Sequence, residues 1–377
     1  MEFGIFLQGY NPEFRRAGDP DAEHKALMND MAYAQAADRA GFKYAWMSEH
    51  HFLDEYSHLS ANDVLAGYLA HATERIHIGS GIFNPLPQVN HPAKVAERVA
   101  MLDHVTNRRF EFGTGRGAGS HEILGFLPGM EDLSQTREIW EDVIGEFPKM
   151  WLQDEYEGYQ GKYWSLPPRK VLPKPYGNAH PAMWYAAGNT SSYAMAAQKG
   201  LGVLGFSVQS IEQLGPVVQA YKKEVVNAEP IGAYVNDNVM VTTAAYVREN
   251  VNDAVTAMVE SKAGYLFANV MRYHDTFPHP EGFPKWPDRF PDPTPDMIPQ
   301  MVAATEARAA SFTGTPNQAL EAAKQWEAAG ADQLAFGLGP DTLDGHLESI
   351  RLLGEYVIPK LDTDPVHRTT RMRDAAG

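Results

Sequence analysis

The sequence predicts one α/β domain built as a (β/α)8 TIM barrel. Two observations lead there: short apolar runs alternate with longer amphipathic stretches almost from the first residue, and the strand–helix unit recurs eight times. A third is size and composition. The chain has 377 residues, 44% hydrophobic and 21% charged, as expected of a large globular unit with a substantial core.

The elements follow in order. "EFGIFLQ" (2–8) predicts the first strand. The stretch 21–41 predicts a helix, with Leu27, Met31, Ala34 and Ala37 at helical spacing and Gly41 as its stop. "KYAWMSE" (43–49) is the second strand and "ANDVLAGYLAHAT" (61–73) the second helix. "RIHIGSGIF" (75–83), the helix of 92–106 and "RFEFGTG" (109–115) continue the pattern, and "PAMWYAA", "GVLGFS", "NVMVTTAAYV" and "DQLAFGLG" supply the later strands. The barrel domain is expected over 1–362.

The alternation breaks twice. Residues 156–181 are rich in Gly, Pro and Tyr and predict an ordered excursion, with a small hairpin. Residues 265–312, between the seventh and eighth units, carry "DTFPHPEGFPKWPDRFPDPTPD", whose prolines oppose a helix or central strand. A loop this long predicts a lid over the barrel mouth, a passive surface insertion being the competing reading. The polar tail 363–377 is expected to be frayed or used at a subunit contact.

A net charge of −16 disfavours nucleic acid and anionic membrane as partners, since both repel an acidic surface. With no cysteine there is no disulfide, thiolate metal site or cysteine nucleophile. The opening stretch lacks a basic region followed by an apolar run, which sets a cytoplasmic expectation.

Chemistry-bearing residues cluster at strand ends. Glu49, His50 and His51 follow the second strand, at the face where active sites of such barrels lie. Adjacent residues leaving a strand point apart, so only one histidine should face a pocket, and no metal site is expected. The fourth strand ends in "FEFGTGRGAGSHE", a glycine-rich turn containing Gly115 and Arg116, suited to close approach of an anionic ligand. The fifth ends in Gly188, Asn189, Thr190, Ser191 and Ser192 before a helix, either an anion site or an ordinary N-cap. Small Ser80 and Gly81 on the third strand admit a flat ring against the backbone, or a β-bulge. Aromatic residues at strand ends, Tyr10, Trp46, Phe83, Trp184, Phe206 and Phe336, are candidates for an apolar substrate wall or for core filling.

Taken together, "FGIFLQGYNP", "SEHHF", "IGSGIFNPLPQVNHPAKVAERVAMLD", "RRFEFGTGRG", "AAGNTSSYAMAAQKG" and "GTPNQALEAAKQWEAAGADQLAFG" resemble the bacterial luciferase-like flavin monooxygenase family, its luciferase alpha subunit in particular. The resemblance implies a homodimeric barrel that binds FMN as FMNH2, uses O2 through a flavin C4a-hydroperoxide, and receives reduced flavin from a separate NAD(P)H-dependent reductase. It places the key histidine at His50, with Glu49 and His51 holding the geometry. The phosphate would rest on Arg116, Gly188, Asn189 and Ser192, and a non-prolyl cis peptide would fall at Gly81–Ile82. Gly115 stands where the luciferase motif has a reactive cysteine, so light emission is not implied and space beside the flavin is expected to open. The substrate is expected to be small and mostly apolar. Alternatives are an F420-dependent hydride-transfer enzyme, a non-catalytic flavin-binding subunit and an unrelated barrel hydrolase.

Overall fold

The computed structural model describes residues 1–377 except 207–209, 277–278, 280–281 and 287. Its eight apolar runs supply eight parallel strands closed into a barrel. These are β1 (Glu2–Leu7), β2 (Tyr44–Met47), β3 (His77–Ser80) and β4 (Phe110–Thr114). The circuit continues with β5 (Met183–Ala187), β6 (Gly202–Gly205), β7 (Val239–Ala244) and β8 (Gln333–Gly337), and β8 pairs back onto β1. The expected hairpin is present as Tyr159–Gln160 against Ser165–Leu166. No helix among the described residues is long and apolar enough to cross a membrane.

Side chains alternate between the barrel interior and the helix layer, and this corrects four expected pocket residues. Trp46 and Trp184 point inward at mid-strand and are fully buried, crossing edge to face with ring centroids 5.1 Å apart. They form a floor inside the barrel. Space for them comes from missing side chains at the paired positions of adjacent strands: a Cβ at Gly79 would lie 2.2 Å from the Trp46 ring, and one at Gly202 2.6 Å from Trp184. Each indole N–H is satisfied, Trp46 by Gln333 Oε1 at 2.6 Å and Trp184 by Glu111 Oε2 at 2.7 Å. Phe83 and Phe336 belong to the outer core instead. Phe336 packs among Phe3, Phe42 and Phe312, and Phe83 lies against Phe110 and Phe112.

Between β7 and β8 the chain forms helices Val251–Glu260, Ala263–Tyr273 and Ile298–Glu306. The segment 265–312 is therefore helical up to Tyr273 and again over Ile298–Glu306, and its proline-rich middle includes residues 277–278, 280–281 and 287, which lie outside the described set.

The expectation of a frayed tail is corrected. Residues 368–376 form a helix that docks under the N-terminal end of the barrel. Its polar sequence suits that place because its partners are charges from elsewhere in the chain, two of them, Glu111 and Asp103, fully buried. Thr369 Oγ1 donates to Glu111 Oε1 at 2.6 Å, and Arg368 reaches Asp237 and Asp332. Arg373 grips Asp103 through two bonds of 2.7 Å, both side chains buried. Removing one partner strands a buried charge, so Arg373→Ala should cost about 3–5 kcal/mol in urea unfolding, and Arg373→Met combined with Asp103→Leu should recover most of the loss. A loss for Arg373→Ala below about 1 kcal/mol, typical of an exposed pair, would show that the helix does not hold the barrel closed.

Candidate active site

At the opposite, C-terminal end of the barrel is a cavity enclosing about 910 Å³ of space, part of it continuous with solvent. Its floor is the upper side of the tryptophan layer, reached through Phe6, Leu204 and Met240, which belong to the same interior cluster.

The loop after β2 delivers the opening constellation. Ser48 Oγ and Ser57 Oγ lie 2.9 Å apart, and His50 N donates to Leu59 O at 3.1 Å, so the segment is pinned as it leaves the strand. His50 lines the cavity. Its Nδ1 is 2.9 Å from Glu122 Oε2, which also accepts from His51 N at 3.3 Å. His51 turns away, as two adjacent residues must. It stands edge-on to Phe126 with Nε2 3.5 Å from Glu49 Oε1, and it is not part of the cavity wall. Burial pushes the Glu49 carboxyl up, and its bond with His51 in turn raises the His51 imidazole. Glu49 itself lines the cavity.

At the end of β3 the Gly81–Ile82 peptide is cis, and both residues line the cavity. Ser80 does not. Its hydroxyl donates to Gly113 O at 2.8 Å and accepts from Gly113 N at 3.0 Å, stapling β3 to β4 below the wall. Gly115 lines the cavity, but the space expected beside it is partly taken: an added Cβ would sit 3.2 Å from Ile82 Cδ1 and Cγ1.

Arg116 follows, held by two neighbours. Its Nε donates to Tyr185 Oη at 3.1 Å and its Nη1 to Thr136 Oγ1 at 2.7 Å, leaving Nη2 without a protein partner among the described residues. Across from it, Gly188, Asn189 and Ser192 line the cavity where β5 gives way to the helix Thr190–Gln198. Asn189 Oδ1 accepts from Ser192 N at 3.0 Å, and Ser192 Oγ accepts from Asn189 N at 3.1 Å, a reciprocal cap. That cap uses the Ser192 amide, so the first-turn amides left for an anion are those of Thr190 and Ser191. Arg137 joins them by donating to Ser191 Oγ at 3.2 Å.

Of the expected aromatic wall, Phe206 is present. Tyr10 is displaced: β1 turns at Gly9, whose φ is +57°, and Tyr10 lines a separate polar pocket with Arg15 and Asn29. The wall also includes Tyr56, Thr242 and His274, which the strand-end pattern does not single out. Nor does it single out Glu122, Tyr185 and Arg137, whose roles arise from contacts between distant segments. Glu122 alone had a signal, as the carboxylate closing "RGAGSHE".

The site can hold a phosphate-bearing ligand at a fixed guanidinium and helix start, beside an imidazole oriented by a carboxylate. Comparisons with known proteins agree with this architecture. The chain is 28% identical over 273 residues to the oxygenase component of flavin-dependent trigonelline monooxygenase from Acinetobacter baylyi, covering 71% of each chain. The oxygenating constituent of 3,6-diketocamphane monooxygenase of Pseudomonas putida, a type II Baeyer–Villiger enzyme solved with FMN, superposes with a TM-score of 0.72 at 18% identity, over 96% of this chain and 98% of that one. An F420-dependent secondary alcohol dehydrogenase shares the fold at TM-score 0.66 and 15% identity, over 94% and 98%. The family model for luciferase-like monooxygenases matches residues 1–333. With that match spanning most of the barrel, the chain belongs to the luciferase-like monooxygenase family.

Proposed function

We propose that the cavity binds FMN in its reduced form and that this chain is the oxygenating half of a two-component monooxygenase, supplied by a separate NAD(P)H-dependent flavin reductase. The observation that carries the reading is the convergence in one cavity of Arg116, the Asn189–Ser192 helix start and the Glu122-anchored His50. The relative described as an oxygenase component supports a separate reductase. When bound, reduced flavin supplies the two electrons that activate O2, one oxygen atom of which passes to a small, mostly apolar substrate.

The residues' own roles follow from their geometry. Arg116 is held by Tyr185 and Thr136, so it meets a phosphate without first losing side-chain freedom. Glu122 as a carboxylate accepts the Nδ1 hydrogen of His50, which leaves Nε2 as the nitrogen able to exchange a proton with an oxygen in the cavity. Retention of this pair argues against a merely flavin-binding subunit. His274 and Thr276, from the segment expected to be a lid, close one side of the cavity and in this reading exclude water there.

Three outcomes test the reading. Arg116→Ala should weaken FMNH2 binding on the order of 10- to 100-fold while riboflavin binding barely changes, as a charge-assisted contact to phosphate requires. Equal losses for both flavins would move the phosphate site elsewhere. His50→Ala should bind FMNH2 nearly normally, yet show product formation reduced about 10²–10⁴-fold with hydrogen peroxide released in its place. Unchanged product yield in His50→Ala removes it from the chemistry.

Self-association is the third outcome. Val64 and Tyr68 on helix Asn62–Ala72, with Met101 and Val105 on the neighbouring helix Pro92–Val105, form an exposed apolar face. In this reading a second copy covers it. Light scattering should give a dimer at micromolar concentration, and Val64→Asp with Met101→Asp should give a monomer. A monomeric parent would contradict it.

A further inference from the structure

We propose that a second pocket, formed where the chain leaves β1, binds a small monocarboxylic acid that also carries a hydroxyl group. It is distinct from the cavity at the barrel mouth, since the two share no lining residue.

The pocket encloses about 650 Å³ of space, part of it continuous with solvent, and lies between three segments. The stretch after β1 contributes Tyr10 and Arg15. Helix Ala22–Ala40 contributes Lys25, Asn29 and Tyr33, whose four-residue spacing sets them along one helix face. Leu338 and Gly339, just past β8, close the third side. A specific bond holds Tyr10 in place. Asp30, on the same helix, accepts from Gly9 N at 2.7 Å and so fixes the left-handed turn that carries Tyr10 away from the line of β1.

Polar groups without partners converge here. Tyr10 is 7% exposed, and its hydroxyl has no hydrogen-bond partner among the described residues. A hydroxyl buried in that state is costly, and a ligand oxygen within reach relieves the cost. The Tyr33 hydroxyl and the Asn29 amide likewise have no partner among the described residues. Arg16 meets Asp54 at 3.3 Å, whereas no carboxylate among the described residues pairs with Arg15. Burial pushes the hydroxyls of Tyr10 and Tyr33 up, so both remain protonated, and the positive charge of Arg15 acts on each.

The charge left over decides what fits. Lys25 is answered by Asp19 at 2.7 Å. Burial pushes the Asp30 carboxyl up to about 7, and the Gly9 amide occupies one of its oxygens. The uncompensated charge is therefore the single guanidinium of Arg15, whose planar fork matches one carboxylate. A second negative charge on the ligand would face Asp19 and Asp30. The tyrosine hydroxyls and the Asn29 amide suit a neutral hydroxyl, and Pro12, Ala22 and Ala26 give a small apolar body something to rest on.

A matched trio tests this by isothermal titration of the purified protein: mandelate, phenylacetate, which lacks the hydroxyl, and 1-phenylethane-1,2-diol, which lacks the carboxylate. Mandelate should bind at least about tenfold more tightly than the diol, as a charge-assisted contact requires, and about threefold more tightly than phenylacetate. Arg15→Met, at an exposed position, should weaken mandelate about tenfold and leave the diol unchanged. Tyr10→Phe should bring mandelate and phenylacetate to equal affinity. Mandelate affinity unchanged in Arg15→Met, equal binding of mandelate and the diol, or no binding to the parent at millimolar concentration, which leaves a hydrated crevice only, would each overturn the proposal. Mandelate seated in the barrel-mouth cavity would show as a loss in Arg116→Ala that Arg15→Met does not share, and that result would overturn it too.

Discussion

Two tryptophans crossed inside a closed barrel set the terms for the rest of this molecule. Trp46 and Trp184 occupy the middle of the barrel, and glycines at 79 and 202 are what let them fit. Their N–H groups must be paired in a dry interior, which brings Gln333 and Glu111 into the core. Burial pushes the Glu111 carboxyl up to about 7, and it is satisfied by Trp184, His77 and Thr369. The last of these belongs to the C-terminal helix, so the floor ties the lower closure of the barrel to its middle. Above the floor the barrel is left shallow, and the cavity rests there on Phe6, Leu204 and Met240.

The loop after β4 then does for the site what the floor does for the barrel. Within a few residues it presents Arg116, supplies Glu122 to His50 and receives the chain around His274 through Gly119 and Ser120. In the proposed reading, the groups assigned to cofactor phosphate and to proton exchange therefore share one support with the cavity wall around His274. Preorganisation of this kind reduces the ordering cost of binding and fixes reacting groups before the substrate arrives.

The strands were legible from the sequence because each is a short apolar run bounded by turn residues, and the divergence of His50 from His51 followed from strand geometry alone. The side on which an aromatic falls was not legible. Trp46 faces inward and Phe336 outward because of their register within the closed sheet, a property no local pattern encodes. Tyr10 left the site because Gly9 takes a left-handed turn. Residues 368–376 look like a solvated tail until Asp103, Glu111 and Asp237, more than a hundred residues away in the chain, are placed beneath the barrel. Arg137 and Glu122 matter for the same reason: their partners are neighbours only after folding.

The family's fold accommodates more than one flavin-like cofactor, and the site's charge separates them. F420 carries a longer anionic tail than FMN, and this mouth offers Arg116 and Arg137 beside Glu49 and Glu122 on a chain of net charge −16. The most direct measurement is therefore the affinity of the purified protein for FMNH2 and for reduced F420, titrated side by side without oxygen. The account predicts that FMNH2 binds at least about tenfold more tightly, a difference of about 1.4 kcal/mol. Tighter binding of F420, with turnover supported by it and not by FMNH2, would contradict the account.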